Sequence, residues 1–183
     1  MSKERFLAFT DAIIAIIATI MVLEFETPKE SGVTSLYQLA IPVFVYALSF
    51  FMIMTVWYNH HQLYKDISIV TPRVYMINAI WLFIMSFFPF TTGWVGKNSG
   101  KLVPELLYLI VMLIWPIIFH IMERELKKEN EGVQRNELTH TLSSKRLFTV
   151  ILIPFFIVWF WPPIGLVSVS IIAIVAIVSF IKK

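Results

Sequence analysis

The chain has 183 residues, a formal net charge of +3 and a hydrophobic share of 58%. Soluble domains hold about 45–50% apolar residues, so this composition, with a mean hydropathy of +0.77, marks an integral membrane protein. The small positive charge then reflects topology rather than nucleic-acid binding, and the absence of cysteine excludes disulfides, thiolate metal sites and cysteine nucleophiles.

A helix that crosses the hydrocarbon needs about 20 mostly apolar residues. The first such segment, RFLAFTDAIIAIIATIMVLE, is apolar almost throughout, yet it carries Asp11 about two turns inside its beginning, after Arg5. It spans a full bilayer width, and Glu24-Phe25-Glu26 is no small-residue cleavage site, so a signal peptide is not expected. In order, the predicted spans are residues 6–25, 36–60, 74–95, 103–122, 147–161 and 164–181. The expected fold is therefore all-α, a polytopic membrane protein of six transmembrane helices in a single domain, 1–183. Trp161-Pro162-Pro163 predicts a tight turn between the fifth and sixth spans. Pro42, Pro89, Pro116 and Pro154 fall inside or near the ends of spans, where neighbouring helices can satisfy the freed carbonyls.

Cationic residues set the expected orientation. Lys3, Arg5, Lys65, Arg73, Arg124, Lys127, Lys128, Arg135, Lys145, Arg146, Lys182 and Lys183 fall on one side, against Lys29, Lys97 and Lys101 on the other. The positive-inside rule places both termini in the cytoplasm, and the cell membrane is the expected location. The loop after the first helix is acidic instead, with Glu24, Glu26 and Glu30. The one long polar stretch, residues 123–146, alternates acid and base and is expected to be a solvated connector.

With that topology, residues from four helices fall in the cytoplasmic third: Arg5 and Asp11, then Asn59, His60 and His61, then Asn78, then His120. Three readings fit this cluster. A buried polar network would have Arg5 and a histidine neutralise Asp11 and hold the first helix against the second and third. A metal site would use Asp11, His60 and His61, although adjacent histidines diverge by about 100° on a helix. A proton relay would use the titration of histidine and aspartate. The structural network is the reading carried forward. Above the cluster, Ile13, Ile16, Ile20 and Leu23 form a bulky stripe on the first helix, and Ala8, Ala12, Ala15, Thr19 and Val22 form a narrower one. The bulky stripe faces lipid, or else a central axis, where it would make a hydrophobic constriction that gates by dewetting.

Arg5-Phe6-Leu7-Ala8-Phe9-Thr10-Asp11, followed by Ala15-Ile16, Thr19 and Leu23-Glu24, resembles the RxxxFSD signature that opens the TMEM175 potassium channels. Trp57-Tyr58-Asn59-His60-His61, Asn78 and Phe88-Pro89-Phe90 fit the same family. The match covers most of the first three spans, roughly half the chain; the last three match only in hydropathy and position. Thr10 stands where the family usually has serine, and both carry a hydroxyl. The resemblance implies a homotetramer with four copies of the first helix lining a central pore, in place of the two six-helix repeats and dimer of the animal relatives. It implies a passive potassium channel with modest selectivity over sodium, narrowed by Ile16, Ile20 and Leu23, with Thr19 offering hydroxyls to the ion. Arg5, Phe9, Thr10 and Asp11 would anchor the helix through Asn59, His60, His61 and Asn78, and Glu24, Glu26 and Glu30 would attract cations at the outer mouth. The expected partners are other copies of the chain, K+ and lipid, with no nucleic acid, no cofactor and no enzymatic activity. A proton-permeable channel or proton-coupled carrier built on Asp11 and the histidines is the alternative.

Overall fold

The computed structural model describes residues 2–130 and 152–181. The polar connector beyond residue 130, the start of the fifth predicted span, and Arg135, Lys145, Arg146, Lys182 and Lys183 lie outside the described residues. Within them the structure is helical: α1 (Lys3–Ile20), α2 (Ala40–Tyr64), α3 (Pro72–Met85), α4 (Phe88–Lys97), α5 (Leu102–Glu129), a short α6 (152–157) and α7 (Ile164–Ile181), with 3-10 turns at Met21–Glu24 and Val33–Leu39. Among the described residues, four helical stretches are long and apolar enough to cross a membrane, Lys3–Glu24, Val33–Tyr64, Pro72–Lys97 and Leu102–Glu129, and α7 is a shorter apolar helix.

The boundaries have local causes. Ser2 caps α1 by accepting the Arg5 N–H at 3.4 Å, and Thr71 caps α3 by accepting the Val74 N–H. The third predicted span is not one helix. Pro89 has no N–H for the Met85 carbonyl, so the chain breaks at Ser86–Phe87 and restarts as α4 with the proline in its first turn. At the restart the Phe87 carbonyl accepts both the backbone N–H of Thr91 at 2.9 Å and its hydroxyl at 3.0 Å. By contrast, α5 continues through Pro116.

α2 packs mainly on α4 and α7, and α3 on α5, so α1 rests at the side of this bundle against α3, α2 and α4. The core is an aromatic column. Tyr64 meets His60 with ring centroids 4.7 Å apart, His60 stacks on Trp81 at 5.1 Å, and Trp81 stacks on Trp115 at 5.7 Å. Such contacts add about 0.5–1.5 kcal/mol each beyond area burial. A second buried set consists of hydroxyls: Thr92 donates to Ser49 at 2.9 Å, and Ser49 shares a 2.8 Å bond with Tyr108. It ties α4, α2 and α5 together inside an apolar interior.

The two ends of the bundle are tied differently. At one end Lys3 donates to the Lys65 carbonyl, Arg73 pairs with Glu125 at 3.1 Å, and Asn130 binds both sides of Ser68 and Ile69. At the other end Glu105 is fully buried. Its carboxylate accepts the Gly100 N–H at 3.0 Å and the Leu166 N–H at 2.7 Å, fastening the α4–α5 loop and the first turn of α7 to α5. Gly100 turns there with φ 80°, a conformation that suits glycine.

Candidate functional site

α1 presents two unlike faces. Phe6, Thr10, Ile14, Ile17, Ala18 and Met21 are buried against the rest of the protomer. On the opposite face Ile16 is 58% exposed, Ile20 41% and Leu23 77%, and Thr19 is exposed beside them. Ile13, grouped with these in sequence, is instead half-buried against the core. The narrower stripe, Ala8, Ala12, Ala15, Thr19 and Val22, is also exposed, so the sealed face of α1 is a third one that neither stripe marks. The Thr19 hydroxyl donates to the Ala15 and Ile16 carbonyls, each at 2.9 Å. Its hydrogen is thus held along the helix, which leaves the oxygen lone pairs free to accept outward.

The sealed face is anchored by polar contacts. Thr10 is fully buried and accepts from the Asn78 side-chain amide at 2.9 Å; the Asn78 oxygen lies 3.1 Å from His60 Nε2. This chain joins α1, α3 and α2 in the middle of the packed interior. Asp11 is held separately, by the Trp57 indole N–H at 2.9 Å, on the α2 flank of α1. Its partner is therefore a tryptophan, not Arg5 or a histidine. Arg5 and Phe9 are exposed on the protomer surface, and Arg5 forms no ion pair among the described residues. His61 is exposed and lies against the Trp57 ring, pointing away from the buried His60. Asn59 is fully buried, with no hydrogen-bond partner for its amide among the described residues. His120 sits with Glu123 and Lys127 on α5, apart from the Thr10–Asn78–His60 chain.

The three acids of the loop after α1, Glu24, Glu26 and Glu30, border a cavity of about 680 Å³ between the end of α1, the start of α2 and α4. Glu26 pairs there with Lys97 at 3.2 Å, and Glu24 lies directly over Gly93, where a Cβ would stand 2.7 Å from the Glu24 Cβ. Lys29 shares the cavity. The acidic loop is thus partly neutralised by Lys97 of α4.

Two roles escaped the sequence reading, that of Trp57, which it named only as part of a motif, and that of Glu105. Trp57 stands at the depth of Asp11, and an indole N–H near a membrane carboxylate is a signal that would have found it. Glu105 falls in the first turn of α5, where an acid reads as an ordinary surface residue; its two backbone donors come from distant parts of the chain.

Known proteins resemble this chain in sequence and in fold. The family model for the endosomal/lysosomal potassium channel TMEM175 matches residues 5–89. A potassium channel of Chryseobacterium sp. (strain P1-3) is 32% identical over 142 residues, covering 77% of this chain and 74% of that protein. The endosomal/lysosomal proton channel TMEM175 of Danio rerio is 25% identical over 122 residues, and this chain spans 24% of its length. The crystal structure of a lysosomal potassium-selective channel TMEM175 homolog from Chamaesiphon minutus superposes with a TM-score of 0.83 at 21% identity, covering 96% of both chains. The fold is therefore that of the bacterial homolog, and the chain belongs to the TMEM175 family of ion channels.

Proposed function

We propose that four copies of this chain form a passive potassium channel with α1 lining a central pore. The observation that carries the reading is the division of α1: one face is locked to its own protomer through Thr10 and Asn78, while Ile16, Ile20, Leu23 and Thr19 stand together on the free face. In a ring of four, apolar side chains at three successive levels make a constriction that controls conduction by dewetting. The Thr19 oxygens, with their lone pairs turned outward, supply a polar level for a partly dehydrated cation. A ring of this kind lacks the carbonyl cage of strongly selective filters, so selectivity for K+ over Na+ is modest.

The bacterial relatives are named potassium channels and the vertebrate ones proton channels, which favours potassium here. A relay through Asp11 and His60 is not supported by their bonding, since Asp11 is held by Trp57 and His60 by Asn78. Both termini lie in the cytoplasm of a six-helix protomer in the cell membrane, a reading supported by the cationic residues at the end of the bundle that holds Lys3, Lys65, Arg73 and Arg124. Four copies of Glu24, Glu26 and Glu30 add a cation-attracting field outside.

Purified protein in K+-loaded liposomes tests this. Valinomycin-independent K+ flux is expected, smaller Na+ flux, and no chloride flux. Ile16→Ala and Leu23→Ser raise the flux if these side chains form the barrier. Equal anion and K+ permeation, or unchanged flux in both variants, refutes the reading.

A further inference from the structure

The loop after α1 carries more charge than its own contacts use. Glu26 is paired with Lys97, but Glu24, Glu30 and Lys29 form no ion pair among the described residues, and all three line the cavity of about 680 Å³. A second cavity of about 450 Å³ adjoins it. Thr27, Pro28, Lys29, Glu30 and Ser35 line both, while Val33 and Leu36 line only the second. Each volume is that of a site for an organic molecule, about 300–1,000 Å³, and no group of acids or histidines among the described residues is placed to hold a metal ion. One wall residue lacks a partner. Ser35 is only 5% exposed, and its hydroxyl forms no hydrogen bond among the described residues, although its backbone N–H is bonded to the Gly32 carbonyl. A buried hydroxyl without a partner is costly. This one borders both cavities, so whatever fills them also satisfies it.

The position is that of a membrane surface. Val33–Tyr64 is long and apolar enough to cross a membrane, and the cavities lie at its first turns, beside the last turns of Lys3–Glu24 and Pro72–Lys97. Spans leave the hydrocarbon at their ends, at the depth of lipid headgroups. From Val33 and Leu36 an exposed apolar path runs on into the span, through Ile41, Phe44 and Phe51 at helical spacing on α2. The site is therefore amphiphilic, with charge at headgroup level and apolar side chains leading away from it. Two free carboxylates and one free ammonium suit a ligand that itself carries a cation and an anion. A primary ammonium donates three N–H groups, which carboxylates accept. A quaternary one is held by a cage of ring faces, and no such cage is built here: Phe25 and Tyr46, the two rings in the wall, pack edge to face on each other at 5.3 Å.

We propose that the two cavities seat one phospholipid whose headgroup carries a primary amine. The carboxylates of Glu24 and Glu30 receive the ammonium, Lys29 and the Ser35 hydroxyl receive the phosphate, and the acyl chains leave past Val33 and Leu36 along α2. The proposal needs only the membrane-spanning fold and stands apart from the tetrameric pore reading. A lipid held in this way joins the loop after α1 to the start of α2 and to α4, so it stabilises the folded chain by linkage. Glu24 directly follows Leu23, and the same lipid therefore steadies the turn that ends α1.

Delipidated protein in detergent is melted alone and with phosphatidylethanolamine, phosphatidylcholine or phosphatidylglycerol at equal mole fraction. At about ten times its dissociation constant the ethanolamine lipid is expected to raise the melting temperature by about 3–6 °C, and the other two by less than half as much. An equal rise with the choline lipid shows that the N–H groups of the amine are not read. An equal rise with the glycerol lipid shows that the amine is not needed, and a full rise with water-soluble glycerophosphoethanolamine shows that no acyl chain is bound. Any of the three overturns the proposal. Ser35→Ala separates binding from folding. Without lipid it removes an unpartnered hydroxyl and melts at or above the parent; with the ethanolamine lipid its rise is expected to be smaller than that of the parent. Lys29→Gln combined with Glu30→Gln, both at exposed positions, is expected to lose the preference for the ethanolamine lipid. A lipid response unchanged in both the serine and the double variant overturns the site.

Discussion

Thr10→Val tests the anchor of α1 at a single atom. Valine matches threonine in shape but lacks the hydroxyl that accepts from Asn78 at 2.9 Å in a fully buried setting. Losing the bond alone costs little, because a side-chain hydrogen bond between membrane helices averages about 0.6 kcal/mol. Leaving the Asn78 N–H donor buried without a partner costs more, about 1–3 kcal/mol, and this larger effect decides the outcome. The expected loss corresponds to a roughly 5- to 150-fold shift in the unfolding equilibrium. It is measured by reversible denaturation of the detergent-solubilised protein, with Thr10→Ser as the comparison that keeps the acceptor. Stability of the valine variant equal to that of the parent, with serine no better than valine, would refute the claim that this bond fixes α1.

Gly93→Ala places a methyl 2.7 Å from the Glu24 Cβ, an atom that cannot swing aside by rotation of the side chain, and overpacking of this kind costs about 1–3 kcal/mol; a lowered melting temperature in detergent is expected. Glu105→Gln turns an amide NH2 toward one of two backbone N–H donors, which leaves that donor unpaired and costs about 1–3 kcal/mol, again read as a fall in melting temperature. Glu26→Gln breaks the pair with Lys97, but the Glu26 side chain is 82% exposed, so stability changes by less than about 1 kcal/mol; a larger fall would show that this pair holds the loop. Trp57→Phe keeps the ring and removes the donor to Asp11, so lowered stability without loss of assembled protein is the expected result on a sizing column.

The first helix was legible because a long apolar run with one acid has few interpretations, and depth counting brought Asn78 to the level of α1. Depth alone did not pair the right groups. It placed Asp11 among the charged and imidazole side chains at its level, whereas the neighbour across the α1–α2 contact is an indole. The break between α3 and α4 was hidden for another reason: hydropathy continues smoothly through residues 74–95, and Pro89 can kink, start or merely bend a helix depending on what surrounds it. The Thr92–Ser49–Tyr108 chain left no trace in the sequence, because isolated hydroxyls in apolar helices have no period. The exposed face of α1 was readable as a stripe, but which arc was sealed depended on the positions of α2 and α3.

The clasp at Glu105 has a consequence for the order in which the chain can be assembled. The carboxylate leaves the ribosome 61 residues ahead of Leu166, whose N–H it accepts. Throughout the synthesis of the intervening stretch, α5 holds an acid near the membrane with only the Gly100 N–H to receive it. This end of the bundle therefore closes last, when the beginning of α7 arrives beside helices already inserted. Chains stopped before residue 166 would carry that acid half-satisfied, a distinguishing mark by which quality control could separate unfinished protomers from complete ones.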